Sequence, residues 1–176
     1  SCWGQGGAGQ LGDGTLDEHY TPVTVAGLTG VVGISAGEFH TCAVLGNGGV
    51  RCWGDNSYGQ LGDGSKTQRL SPVTVVGVAG ATAVAAGAGH TCALVAGGTL
   101  MCWGNNSVGQ FGNGTTDDNP VPAATPAVAS SARCVAARAS ASARVCAAVA
   151  DSPRPVRPRS RRRRRAPRRP GQTAAR

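Results

Sequence analysis

Apolar and polar positions along this chain come in short bursts rather than in helical steps. Pro22 to Val25, Val31 to Ile34, His40 to Leu45 and Val50 to Trp53 are brief runs rich in β-branched or small apolar residues. No window of ten or more residues carries apolar side chains at helical spacing. Gly27, Gly30, Gly37 and the cluster Gly46-Asn47-Gly48-Gly49 separate the runs. Such punctuation predicts four short strands per unit, joined by tight turns, and an all-β chain.

The bursts recur every 50 residues. Cys2-Trp3-Gly4 returns as Cys52-Trp53-Gly54 and as Cys102-Trp103-Gly104. The segment GQLGDG at 9–14 returns at 59–64 and, as GQFGNG, at 109–114; HTCAV at 40–44 returns as HTCAL at 90–94. A four-stranded unit of this length suits one propeller blade. The expected fold is therefore all-β: a partial β-propeller of about two and a half four-stranded blades over residues 1–122. Residues 123–176 are expected to form a disordered basic C-terminal tail. One complete unit is taken to run from Pro22 to Ser71. The chain enters mid-repeat at Ser1-Cys2-Trp3, so it is expected to be a fragment of something longer.

The third and fourth strands of each unit read as a hairpin around Gly46-Asn47-Gly48. A three-residue loop sets Val44 opposite Val50 and Cys42 opposite Cys52, and likewise Cys92 opposite Cys102. Directly opposed residues hold their Cβ atoms about 4.5–5.5 Å apart, within reach of a disulfide. Bridges Cys42–Cys52 and Cys92–Cys102 are expected. Reduced, buried cysteine is the alternative. Zinc is weaker: His40, Cys42 and Cys52 could donate, but no Cys-x-x-Cys pair exists. In the bridged register the mate of Cys2 would precede Ser1; Cys134 and Cys146 have no assigned pairing. Two bridges place maturation outside a reducing cytosol, so an extracellular or cell-surface location is expected, with the cytoplasm as the alternative.

The stretch from Gly37 to Thr41 and the segment Trp53-Gly54-Asp55-Asn56-Ser57-Tyr58-Gly59-Gln60-Leu61-Gly62 resemble the regulator of chromosome condensation repeat. Gly87 to Thr91 and Trp103 to Gly112 supply the pattern again, with Phe111 in place of Leu. The first copy, Trp3 to Gly12, departs from it with Gly6 where the others have Asn. The resemblance implies a seven-bladed propeller, which this chain alone cannot close; open strand edges are then a liability. It also implies two histories of function: guanine nucleotide exchange on a small nuclear GTPase, and bacterial exported forms that include secreted β-lactamase inhibitors. The paired cysteines are more similar to the exported forms.

Charge changes the picture by where it sits. Residues 1–126 carry Arg51, Lys66 and Arg69 against eight acids, a net of −5; residues 127–176 carry fourteen Arg against Asp151, a net of +13, and the two give the overall +8. The repeat body is thus acidic, and a nucleic-acid reading can attach only to the Arg-rich tail. From about Ala123 the period fails, aromatics vanish, and Ala, Ser, Arg and Pro dominate, a composition that cannot bury a core. An out-of-frame continuation of the repeats would produce the same tail. No apolar run reaches membrane-spanning length, and no charged leader with an apolar segment opens the chain.

Candidate chemistry is thin. Gly7 to Gly12 fits a dinucleotide Gly-x-Gly-x-x-Gly, but its counterpart at 57–62 breaks the pattern and no helix follows. Asp13-Gly14 and Asp63-Gly64 read as turns rather than calcium loops. His40 and His90 recur with the period, as do Trp3, Trp53, Trp103, Gln10, Gln60 and Gln110. A residue needed in every blade is expected to maintain the blade, with the histidines bonded to neighbouring backbone. No catalytic residue, cofactor or metal is expected. Positions that vary are the candidates for binding: Asp17, Glu18 and Tyr20, then Lys66 and Arg69, then Asp117 and Asp118, and Phe39 where the next repeat has Gly89. The expected role is a non-enzymatic scaffold for a protein partner in a bacterial exported or surface protein; the alternative is exchange on a small GTPase.

Overall fold

The structure is a computed structural model, and it describes residues 1–126. It contains ten strands and, among the described residues, no helix: β1 (Cys2–Gly4), β2 (His19–Val23), β3 (Val31–Ala36), β4 (His40–Leu45), β5 (Val50–Gly54), β6 (Arg69–Thr74), β7 (Ala81–Ala86), β8 (His90–Val95), β9 (Leu100–Gly104) and β10 (Asn119–Ala124). They form three antiparallel sheets: β1-β2, β3-β4-β5-β6 and β7-β8-β9-β10. The expectations for the basic tail, including Cys134 and Cys146, lie outside the described residues.

The sheets differ from the expected unit in phase. The run at 22–25 was read as the first strand of the Pro22–Ser71 unit. Instead β2 pairs with β1, through Cys2↔Val23 and Gly4↔His19. Each complete sheet closes on the corresponding later strand, β6 against β5 and β10 against β9. The reason is in the loop after each Trp-Gly, which reverses the chain so that the next strand returns along its predecessor. β2, β6 and β10 end their sheets, and they carry Pro22, Pro72, Pro120 and Pro122. An edge strand tolerates proline because one side of its backbone needs no partner.

The hairpin registers set Val44 opposite Val50, Cys42 opposite Cys52, and Cys92 opposite Cys102. Both cysteine pairs are bridged, with Cα atoms 4.1 Å apart. That short span belongs to the closely spaced, non-hydrogen-bonded sites of an antiparallel ladder.

The core lies between sheets. β4 is buried at Cys42, Ala43 and Val44 in succession, which a one-sided strand never shows. Side chains alternate across the strand. Cys42, Val44, Val50 and Cys52 face the next sheet and join Leu61, Ala93 and Trp103 in one cluster. Ala43 and Trp53 face the previous sheet and join Cys2, Leu11 and Val25 in another. In β8 the second face is less covered: Thr91 and Ala93 are buried, while Cys92 and Leu94 are half-buried.

One junction motif welds neighbouring sheets. The Trp53 indole N–H donates to the Gln10 carbonyl at 2.9 Å, and the Thr41 hydroxyl donates to the same oxygen at 2.9 Å. Fifty residues on, Trp103 and Thr91 converge on the Gln60 carbonyl at 2.9 and 2.8 Å. Gly62 sits at φ +68°, and a Cβ there would meet Trp103 Nε1 at 2.7 Å; Gly12 stands in the same relation to Trp53. Only glycine admits both the backbone angle and the ring. The repeated Trp, Thr and Gly-Gln-Leu-Gly elements are therefore parts of one contact shared by two repeats.

Candidate functional site

Register decides which loops share a face. His40 opposes Gly54, so the β3–β4 turn and the long β5–β6 loop leave the same end of the sheet. His90 opposes Gly104 in the same way. The glycine turns at 46–49 and 96–98 leave the other end. Every sequence-nominated binding position thus lies at or beside one face: Asp17, Glu18 and Tyr20; Phe39; Lys66 and Arg69; Asp117 and Asp118.

The long loops are held from within by the repeated polar residues. Asn56 is fully buried; its Oδ1 accepts from Leu61 N, and its Nδ2 donates to the carbonyls of Ser65 and Thr67 at 3.1 and 3.0 Å. Asn106 repeats the arrangement with Phe111 and Thr115. Where the first loop has Gly6, a Cβ would collide with the Asp17 carbonyl, so without the Asn the chain closes inward on itself. The Gln60 side chain accepts from Tyr58 N and donates to Asp55 at 2.6 Å.

The nominated residues divide between structure and surface. Arg69 is engaged by its own loop: its Nε donates to Asp63 at 2.9 Å, and Asp63 also accepts from Ser65 and Asn56. Burial alone would raise the Asp63 pKa, but these hydrogen bonds outweigh it and hold the carboxyl below its usual range. The first repeat has His19 in place of Arg69, with Nε2 2.9 Å from Asp13 Oδ2 and not aligned as a hydrogen bond. Asp13 is likewise held low, burial being outweighed by hydrogen bonds from Thr15. Asp118 accepts from Asn106 N at 2.7 Å. Asp17, Lys66 and Asp117 are exposed, and Tyr20 is 87% exposed with its hydroxyl 3.3 Å from Glu18.

His40 has a different partner from the backbone expected for it. His40 Nε2 lies 2.8 Å from the Thr91 hydroxyl, which belongs to the next sheet. That hydroxyl donates to the Gln60 carbonyl, so it accepts from His40, and the imidazole is neutral with its proton on Nε2. Burial, and then the neighbouring His90, push its pKa down to about 4, with Asp55 opposing weakly. Asp13 and Asp63 orient no histidine of the His40 type. Among the described residues no group of three or more His, Cys, Asp or Glu is placed to hold a metal ion.

At the junction of the two complete sheets this face opens into a cleft of about 510 Å³. Glu38, Phe39, Asp55 and Tyr58 line it from one repeat; Ala88, Gly89, His90 and Asn105 line it from the next. Phe39 is 45% and Tyr58 44% exposed. A Cβ on Gly89 would meet the Tyr58 ring at 3.1 Å, so glycine lets the ring lie against the backbone. The sequence analysis did not nominate Tyr58. It is one of two positions of Trp-Gly-x-Asn-x-x-Gly-Gln that differ in all three copies, reading Ala8, Tyr58 and Val108 as the other reads Gln5, Asp55 and Asn105, and that variability was the available signal.

A sequence profile of the Regulator of chromosome condensation (RCC1) repeat matches residues 2–44 and 47–94, just over half of the chain. The chain belongs to this family. A second profile of the RCC1 repeat matches residues 31–60 and 81–110. Among solved structures, human WBSCR16 aligns with TM-score 0.63 at 25% identity over 72% of this chain and 34% of its own. Prp20p from Saccharomyces cerevisiae, solved with a description of its binding to Gsp1p and histones, aligns with TM-score 0.61 at 24% identity over 72% of this chain and 34% of its own. Yeast RCC1 (Prp20) bound to Kap60 aligns with TM-score 0.59 at 24% identity, covering 32% of that chain. The chain therefore spans about a third of the length of these propellers. No curated protein matches it in sequence. The three antiparallel sheets share the fold of these RCC1-type propellers.

Proposed function

We propose that this RCC1-repeat chain is part of a non-enzymatic scaffold that binds a protein partner through the face carrying the long loops. The observation behind the reading is where the apolar surface lies. Leu16, Tyr20, Phe39, Tyr58 and Val108 are 44–87% exposed, and all sit at or beside that face. Exposed aromatics on a rigid loop platform are the common currency of interface anchors. The recurring Trp53, Trp103, Thr91, Asn56 and Asn106 are buried and bonded within or between the blades, which supports a structural role for them. The two bridges support a bacterial exported or surface setting, since disulfides persist in oxidising compartments. No helix among the described residues is long and apolar enough to cross a membrane.

Photo-crosslinking tests the reading. A crosslinking side chain at Val108 is expected to give a saturable adduct with a partner, lost when Tyr20, Phe39 and Tyr58 are changed together to alanine. The same probe at Val32, which lies toward the opposite end, is expected to give none. Equal adducts from both positions, or an adduct indifferent to the triple change, defeat the reading. The alternative, exchange on a small GTPase, draws on Prp20p, whose identity to this chain carries the fold alone. Accelerated nucleotide release from a small nuclear GTPase would favour it instead.

A further inference from the structure

The repeats supply an internal control for the cleft. Sheets two and three are built alike, yet four wall positions change together: Glu38, Phe39, Asp55 and Tyr58 in one repeat stand where Ala88, Gly89, Asn105 and Val108 stand in the next. The first repeat has Gln5 and Ala8 at the last two of these positions. Blade upkeep therefore requires neither the two carboxylates nor the two rings. They come from one repeat, and the residues that line the cleft from the next, among them Ala88, Gly89, His90 and Asn105, carry no carboxylate.

We propose that this cleft receives an arginine side chain from the partner. The inference rests on the scaffold reading and names the chemistry of its central contact. Two half-exposed aromatic rings beside a cleft of about 510 Å³ suit a planar group that can lie on their faces. A guanidinium stacks on such rings and is more weakly hydrated than an ammonium. Glu38 is exposed and makes no hydrogen bond or ion pair among the described residues, so its carboxylate is available to a cation. Asp55 is spoken for: Oδ1 accepts from Ser57 and Oδ2 from Gln60, which fixes a second negative charge at the cleft. Residues 1–126 carry a net charge of −5 although the whole chain carries +8, so it is the local charge at the cleft, and not the long-range field, that favours a cationic group. Apolar peptide chemistry alone would gain nothing from the two acids.

The test titrates N-acetyl-arginine methylamide into the full ¹⁵N-labelled chain and follows backbone amide shifts. Saturable shifts are expected at Phe39, Tyr58, Gly89 and Asn105. The citrulline analogue, which keeps the shape and loses the charge, is expected to bind about tenfold or more weakly, as are Glu38→Gln and Tyr58→Ala with arginine. Both substitutions sit at exposed positions, and unchanged shifts elsewhere in the spectrum report that the fold is intact. Equal shifts from citrulline, or arginine shifts scattered over the loops without saturation, overturn the proposal. Either outcome leaves the Val108 crosslink standing or falling by itself, so failure of this inference is distinguishable from failure of the scaffold reading.

Discussion

Acid should loosen the blade junction through His40, and the structure sets the size of the effect. In the folded chain the imidazole is sealed between sheets, donating from Nε2 to Thr91, while its Nδ1 is buried without a partner. A proton added to Nδ1 would place a charge where nothing accepts it, which is why the pKa falls to about 4. Unfolded, the residue titrates near its ordinary value of about 6.5. Between these values the unfolded chain binds the proton and the folded chain refuses it. The stability due to neutral His40 is therefore complete above about pH 6.5 and is lost as pH falls toward 4. The full difference of about 2.5 units corresponds to about 3 kcal/mol, and about 2 kcal/mol of it is gone by pH 5. Urea unfolding at pH 7.5 and pH 5, followed by the fluorescence of the buried Trp53 and Trp103, measures the loss. His40→Gln keeps a donor for Thr91 and removes the titration; it is expected to unfold earlier at pH 7.5 but to flatten the pH dependence. A variant as acid-sensitive as the parent would refute the reasoning.

Other outcomes follow from single contacts. Replacing Cys42 and Cys52 by alanine is expected to cost about 2.7 kcal/mol on the chain-entropy estimate for a loop of this size, read as a lower urea midpoint under non-reducing conditions; no change would mean the pair is not bridged in solution. Gly62→Ala forces a Cβ against Trp103 at a left-handed backbone angle and is expected to cost more than about 1 kcal/mol, whereas Gly112→Ala, where nothing lies within 4 Å, pays only for its φ of +63°. Arg69→Ala removes an ion pair whose arginine is 40% exposed, so a loss of about 0.5–1 kcal/mol is expected, and a much larger one would show that Arg69 carries more than its bond to Asp63.

The architecture was legible in the sequence because a repeat displays its own alignment. Period and glycine punctuation placed the strands, and the three-residue loop placed Cys42 opposite Cys52 without any tertiary information. The phase was not legible: whether the strand at Pro22 opens one sheet or ends another depends on which way the loop after Trp-Gly turns, and it turns back both around the buried Asn56 and Asn106 and where Gly6 stands in their place. Nor could a single repeat reveal that Thr91 is the partner of His40, 51 residues away. The periodic Trp53, Trp103 and His40 make contacts that run between blades, whereas the Gln60 and Gln110 side chains bond within their own loops. At the candidate site, Phe39 stood out because Gly89 replaces it. Tyr58 lay hidden inside the motif that carries the resemblance, and only the cleft gives it a surface meaning. Arg69 was nominated for its side-chain type, which says nothing about the carboxylate of Asp63 waiting six residues earlier.

The account as a whole depends on each repeat reaching into the one before it. Nuclear Overhauser contacts from the two buried indole N–H protons test that directly. Trp53 should show cross-peaks to the Gly12 α-protons, and Trp103 to those of Gly62, because each ring packs on the glycine of the preceding loop. Indole protons that report only neighbours within their own repeat, or that exchange rapidly with water, would contradict stacked blades.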